Sequence, residues 1–316
     1  MRGNKEMSRD TEKALKELNK FMDGKLTDET TEEEMKALVD EFIKQYNDNL
    51  PGEVTEENAT TSSDYFELAM DAETEKDALR YARKAAKLDP DNLDALKMIE
   101  EIRIHNPHEL LKKYEKLIEL GKKIMEKKGY MDEDSIGDYW PIIETRPFMR
   151  LYESYVDTLK DCGMMKLAAN AIEEMLRYNT NDNQGMRHLL MHIYAYLEDE
   201  EKAVELYQKY CEYDETMMLL PLSVLYYKKQ DYKKAEEYLK QLKKINKDTH
   251  KFLKKFIDRD VDADEFTAKM DPFGFRPYTM DEFVIEIEQY YFLFENTMFF
   301  FHCAEEMTRS KRRKLN

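Results

Sequence analysis

Four alanines set the frame for this chain. Ala78, Ala168, Ala203 and Ala235 each open a short amphipathic run in which apolar residues return at +4 and +7. The pairs are Ala82 and Ala85, Ile172 and Met175, Tyr207 and Tyr210, and Leu239 and Leu242. The last three alanines lie 35 and 32 residues apart. A second helical stripe precedes each of them: Tyr152, Tyr155 and Leu159, then Leu190 and Tyr194, then Leu219, Leu222 and Tyr226. Two antiparallel helices of about a dozen residues with their turns occupy roughly 34 residues. A small residue early in the second helix lets the first approach closely, and the large ones fill the space to the next pair. One pair cannot bury its own apolar face, so neighbours must stack. The spacing therefore predicts an all-α protein of stacked helix pairs.

Composition narrows what such an array can do. The 316 residues carry a formal charge of −17, although five of the basic residues crowd into the last eight positions. A body that acidic repels a phosphate backbone, so nucleic-acid binding by the body is not expected. Nine glycines and eight prolines are too few for the Gly-rich loops of nucleotide-binding sheets. The three cysteines (Cys162, Cys211 and Cys303) are far apart and odd in number. They imply neither a disulfide framework nor a zinc ribbon, and a reducing, cytoplasmic setting is the simpler reading. Met1 to Lys20 shows no apolar segment of signal-peptide type. Phe283 to Cys303 is long and apolar, yet Glu286, Glu288, Glu295 and Asn296 interrupt it. A carboxylate at bilayer depth costs roughly 2–3 kcal/mol or more, so a buried helix is expected there and no membrane span.

Local signals divide the chain into residues 1–63, 64–308 and 309–316. The first is an N-terminal helical segment with a polar linker. Thr31 and Glu34 form a capping-box pattern, Met35, Leu38, Val39, Phe42, Ile43 and Tyr46 make one stripe, and residues 51–63 read as turn-forming linker. The last is a basic tail, expected to be a solvated end, with an import-like patch or a tether to an acidic partner as alternatives.

The runs DALRYARKAAKLDPDN and QDYKKAEEYLKQL resemble the tetratricopeptide repeat. A longer likeness covers about residues 137–305. GDYWPIIETRPFMR, NTNDNQGMRHLL, INKDTHKFL and FRPYTMDEF are similar to segments of bacterial relatives of the suppressor of tumorigenicity 7 family. Thr180 and Lys247 stand where that pattern has proline. The resemblance implies a tetratricopeptide-like helical protein, and with the repeat register the expected fold is an α-α superhelix (a solenoid) over residues 64–308, whose raw apolar end a C-terminal capping helix covers with Phe299, Phe300 and Phe301. It implies no particular activity.

In such repeats the second, fifth, ninth and twelfth positions of the first helix face a concave groove. Carried over, these are Arg150, Glu153, Asp157 and Lys160, then Gly185, His188, His192 and Ala195, then Met217, Leu220, Val224 and Tyr227. A groove running from charged to apolar suits an extended peptide or a partner helix. The chain's own C-terminal helix or a neighbouring copy is the competing occupant, and a homo-oligomer stays open. His188 and His192 share a helix face, but Leu189 stands where a zinc protease has glutamate and no third ligand is near, so no metal is expected. Arg146 and Arg150, with Glu144, read either as an anion clamp or as an internal ion pair to Asp182 or Glu153. Asn183, Gln184 and Arg187 at the next helix start read as capping or as ligand contacts. Trp140, Tyr152 and Tyr155 read as core. With no nucleophile motif, no catalytic residue and no cofactor is assigned. The expected function is a non-enzymatic interaction module for a protein or peptide partner. An enzyme or enzyme subunit acting on an anionic small molecule, and a peptide-sensing regulator, are the alternatives.

Overall fold

The computed structural model describes residues 2–26, 30–48, 54–210, 212, 215–258 and 276–309. Cys211, Phe275 and nearly all of the basic tail lie outside them. Every regular element among them is helical, and the only β pairing there is two isolated bridges from Gly137 and Asp138 to Asn179. None of these helices is long and apolar enough to cross a membrane. The chain divides into two compact units, one of Met1–Cys162 with Arg177–Asn181, the other of Gly163–Leu176 with Asp182–Asn316.

The first unit contains α1 (Arg2–Met22), α2 (Glu32–Asp48), α3 (Ser62–Met70), α4 (Glu75–Leu88), α5 (Leu93–Arg103), α6 (Pro107–Lys127), a 3-10 turn at Ile143–Thr145, and α7 (Arg146–Asp161). Local chemistry fixes the starts. Thr31 and Glu34 exchange the expected reciprocal bonds ahead of α2, and Thr61 and Asp64 do the same for α3. Asn92 caps α5, and Asn106 with Pro107 opens α6. Ala82, Ala85 and Ala95 are fully buried and let α3, α4 and α5 pack closely, whereas Ala78 is only half-buried. Further on, Phe148 stands edge-on to Tyr152 and Tyr178, and Tyr139 stacks on Tyr178 at 4.8 Å. Tyr152 is core as expected; Trp140 and Tyr155 are half-buried. Gly121 of α6 lies against Phe148, and a Cβ there would stand 2.5 Å from the ring. On α2 the expected apolar stripe buries no residue, and Met35 and Ile43 are exposed.

The second unit contains most of α8 (Met165–Tyr178), then α9 (Met186–Leu197), α10 (Glu200–Tyr210), α11 (Thr216–Lys228), α12 (Tyr232–Ile245), α13 (Thr249–Ile257), α14 (Met280–Gln289), α15 (Tyr291–Phe294) and α16 (Met298–Thr308). The alanine frame is met: Ala168, Ala203 and Ala235 are buried, at most 1% exposed. α9 pairs with α10, and α11 with α12. α11 is apolar on every face and every residue from Thr216 to Tyr226 is buried, as a helix without a polar side must be.

The apolar stretch Phe283–Cys303 is three helices, where one was expected. Tyr290 and Thr297 leave helical geometry, and the Thr297 hydroxyl donates to the carbonyls of Leu293 and Phe294 at 3.1 and 3.2 Å. The bends turn Phe283, Phe294, Phe300 and Phe301 inward, to 1% exposure or less. α16 packs on α12 and α13, with Phe300 against Tyr227 of α11 and Phe301 against Phe252 and Phe256 of α13, while Phe299, expected to join them, is 79% exposed.

Candidate functional site

In the second unit the start of α9 is built around Asp182. Its backbone is left-handed, with φ of 49°, a conformation that aspartate tolerates better than most residues. That turn aims the carboxylate at the first amides of α9, where Met186 N donates at 2.7 Å and Arg187 N at 2.9 Å. Asp182 is thus the cap, in place of the expected Asn183 and Gln184. Gly185, also left-handed at φ 70°, carries the chain into the helix. The Arg187 guanidinium donates to Asp182 at 2.9 Å and to both oxygens of Glu215 at 2.7 and 3.1 Å. Glu215 also holds His188 Nε2 at 2.8 Å. Burial raises the Glu215 pKa, but the bonds from His188 and Arg187 outweigh it and bring it to about 2. Arg187 is therefore engaged internally, and an anion clamp is not what it forms.

One turn further in, His192 is fully buried. Its Nδ1 lies 2.7 Å from the carbonyl of His188, and its Nε2 lies 3.0 Å from Oε1 of Glu286 on α14. A carbonyl only accepts, so Nδ1 carries the proton. Burial pulls the imidazole pKa down to about 3. The neutral ring therefore offers Nε2 as an acceptor, and Glu286 must donate. Burial, with Glu282 nearby, pushes the Glu286 pKa well up, consistent with a carboxylic acid whose Oε1–H points at Nε2. Its other oxygen meets no donor among the described residues. Tyr290 stacks on His192 at 4.0 Å and Phe294 closes the edge at 5.7 Å.

The positions carried over as groove-facing are thus not open in this unit. His192 lies under α14 and α15. Met217, Leu220 and Val224 are buried in α11, and Ala195 is buried too. Half-buried Tyr227 stands edge-on to Phe300 of α16 at 5.6 Å. His188 is partly covered and paired to Glu215. α14 and α16 thus lie against His192 and Tyr227, two of the positions expected to meet an external peptide.

In the first unit Arg150 is the anchor. Its Nε and Nη2 donate to Asp94 of α5 at 2.9 and 2.5 Å, and its Nη1 donates to Glu12 of α1 at 2.9 Å. Burial opposes the charge, and Asp94 and Glu12 outweigh it, so the guanidinium stays firmly protonated. The ion-pair reading of Arg150 is met, but with partners other than Asp182 or Glu153. Glu153 is half-buried, and Asp157 with Lys160 forms a surface pair at 3.3 Å. Arg146 donates to the Trp140 carbonyl at 2.8 Å and lies over its ring. Beside Arg150 a cleft of about 1160 Å³ opens between α1 and α3, with Phe66, Met70, Met22 and Leu26 among its walls.

Glu12, Asp94, Glu286 and Tyr290 had no local signal in the sequence, because each meets its partner across at least 56 residues. Among the described residues no group of three or more His, Cys, Asp or Glu side chains is placed to hold a metal ion. No protein-family model and no curated protein matches this chain.

Proposed function

We propose that this chain is a cytoplasmic, non-enzymatic protein–protein interaction module of the tetratricopeptide-like, superhelical kind, and that the ligand it is built for is a helix. One observation supports this reading. At Arg150, His192 and Tyr227, three positions where such repeats meet a ligand, the chain seats its own helices α1, α14 and α16. The contacts are those of helix capture: an aromatic ring against a ring, and a carboxylate on a guanidinium. The competing reading, an enzyme acting on an anionic small molecule, needs uncommitted guanidinium groups, and Arg146, Arg150 and Arg187 each have an internal acceptor.

The test is a display selection of amphipathic helical peptides against the full chain, with calorimetry on the enriched sequences. Enriched helical peptides binding with one-to-one stoichiometry are expected. A selection that enriches nothing beyond what an unrelated acidic protein retains sinks the proposal.

A further inference from the structure

We infer that the surface α1 covers, formed by the α3 side and Arg150, is a binding site for a mixed-charge amphipathic helix, and that α1 is the occupant built into the chain. The inference rests on the interaction-module reading and names the partner and its site.

The way α1 docks carries the inference. Along residues 11–22 the only buried side chain is Glu12, 6% exposed; Leu15, Leu18, Phe21 and Met22 are half-buried at most. An amphipathic helix ordinarily docks by its apolar stripe. Along residues 11–22 it is a carboxylate that lies deepest. That carboxylate is also the second on one guanidinium. Asp94 takes the fork through Nε and Nη2, which leaves the Nη1 edge for the helix that covers it. Glu12 fills that edge as the second carboxylate, a place that a carboxylate of another helix can take.

The rim states what else an occupant must bring. Asp64, Glu67 and Asp71 of the α3 side line the cleft. α1 answers with lysines: Lys13 pairs with Glu67 at 2.9 Å, and Lys16 supports Glu12 at 3.3 Å. The recognised pattern is therefore a glutamate followed by basic residues at +1 and +4, with apolar residues between them at the place of Leu15 and one turn on at that of Leu18. Met70 in the α3 wall lets the apolar part adapt.

The probe is a dye-labelled synthetic peptide of residues 2–26, followed by fluorescence anisotropy against the full chain and against its Glu12→Gln variant. In the wild type the tethered α1 competes at high effective concentration. The variant should therefore bind the peptide about ten-fold or more tighter, the equivalent of one charge-assisted hydrogen bond. The peptide carrying Glu12→Gln should lose a similar factor on the variant chain, and one carrying Lys13→Glu with Lys16→Glu should lose at least as much. Both changes sit in the probe, so the comparison among peptides holds the chain constant. Equal binding by all peptides, or no binding to the variant chain, overturns the inference. Either result leaves the interaction-module reading to the display selection.

Discussion

Replacing Glu286 with glutamine keeps the shape and the hydrogen bond to His192 Nε2 but removes the ionisable proton. In the wild type the native state holds the Glu286 proton, while the unfolded chain releases it above about pH 4.5, the ordinary glutamate value. A raised acid contributes stability below that pH and loses it as pH rises towards the native pKa. His192 works the other way. Its native pKa is about 3 against 6.5 unfolded, so its contribution is present above 6.5 and is lost as pH falls. Above about pH 4.5, while the native state keeps the Glu286 proton, the falling slope of the glutamic acid cancels the rising slope of the histidine. Glu286→Gln breaks that cancellation. Relative to the wild type, the variant should gain stability as pH rises above about 4.5, by on the order of 1 kcal/mol per pH unit, the slope of a single proton. Urea unfolding followed by far-UV circular dichroism at several pH values, with a constant m-value, reads the difference directly. His188, Glu215, Glu282 and Arg187 are present in both proteins and drop out of it. A flat difference, or a variant that weakens as pH rises, refutes the neutral pair and makes Glu286 a carboxylate beside an imidazolium.

Three other substitutions test the packing. Gly121→Ala should destabilise by about 1–3 kcal/mol in urea, although alanine is the better helix former, because Phe148 is held by Tyr152 and Tyr178 and cannot yield to the new methyl. Arg187→Ala removes the guanidinium that joins Asp182 and Glu215 at the start of α9 and should cost about 3 kcal/mol, read as a lowered urea midpoint. Phe301→Ala should cost about 3–5 kcal/mol in the same assay, whereas Phe299→Ala, next in the run but solvent-facing, should stay within about 0.5 kcal/mol.

What the sequence made legible was what depends on neighbours a few residues apart. The alanine frame placed Ala168, Ala203 and Ala235 in the core, and the Thr31–Glu34 box marked the start of α2. The fate of the groove positions was partly legible too. TMMLLPLSVLYY has no polar face, and that alone argues that α11 is buried on all sides rather than presenting Met217, Leu220 and Val224 to a ligand. Other features were not legible because they are decided far along the chain. Arg150 read as an anion clamp or as an ion pair to Asp182 or Glu153, and nothing near it in the sequence pointed to Glu12, 138 residues away. His192 looked like half of a groove-lining pair until Glu286, 94 residues away, closed on it. The same limit hid the breaks at Tyr290 and Thr297. Helical periodicity continues through them, and only packing against α12 and α13 decides which phenylalanines turn inward.

Native-state hydrogen exchange on the full chain tests most directly whether the helix at Arg150 is exchangeable. The α14 and α16 segments bury Phe283, Phe300 and Phe301, whereas α1 buries only Glu12 along residues 11–22, and local opening follows buried contacts. The amides of α1 should exchange far faster than those of α9, α14 and α16, and Glu12→Gln should speed α1 further while leaving the others unchanged. Protection of α1 equal to that of α9 contradicts the account, because a helix held that firmly leaves no room for a partner at Arg150.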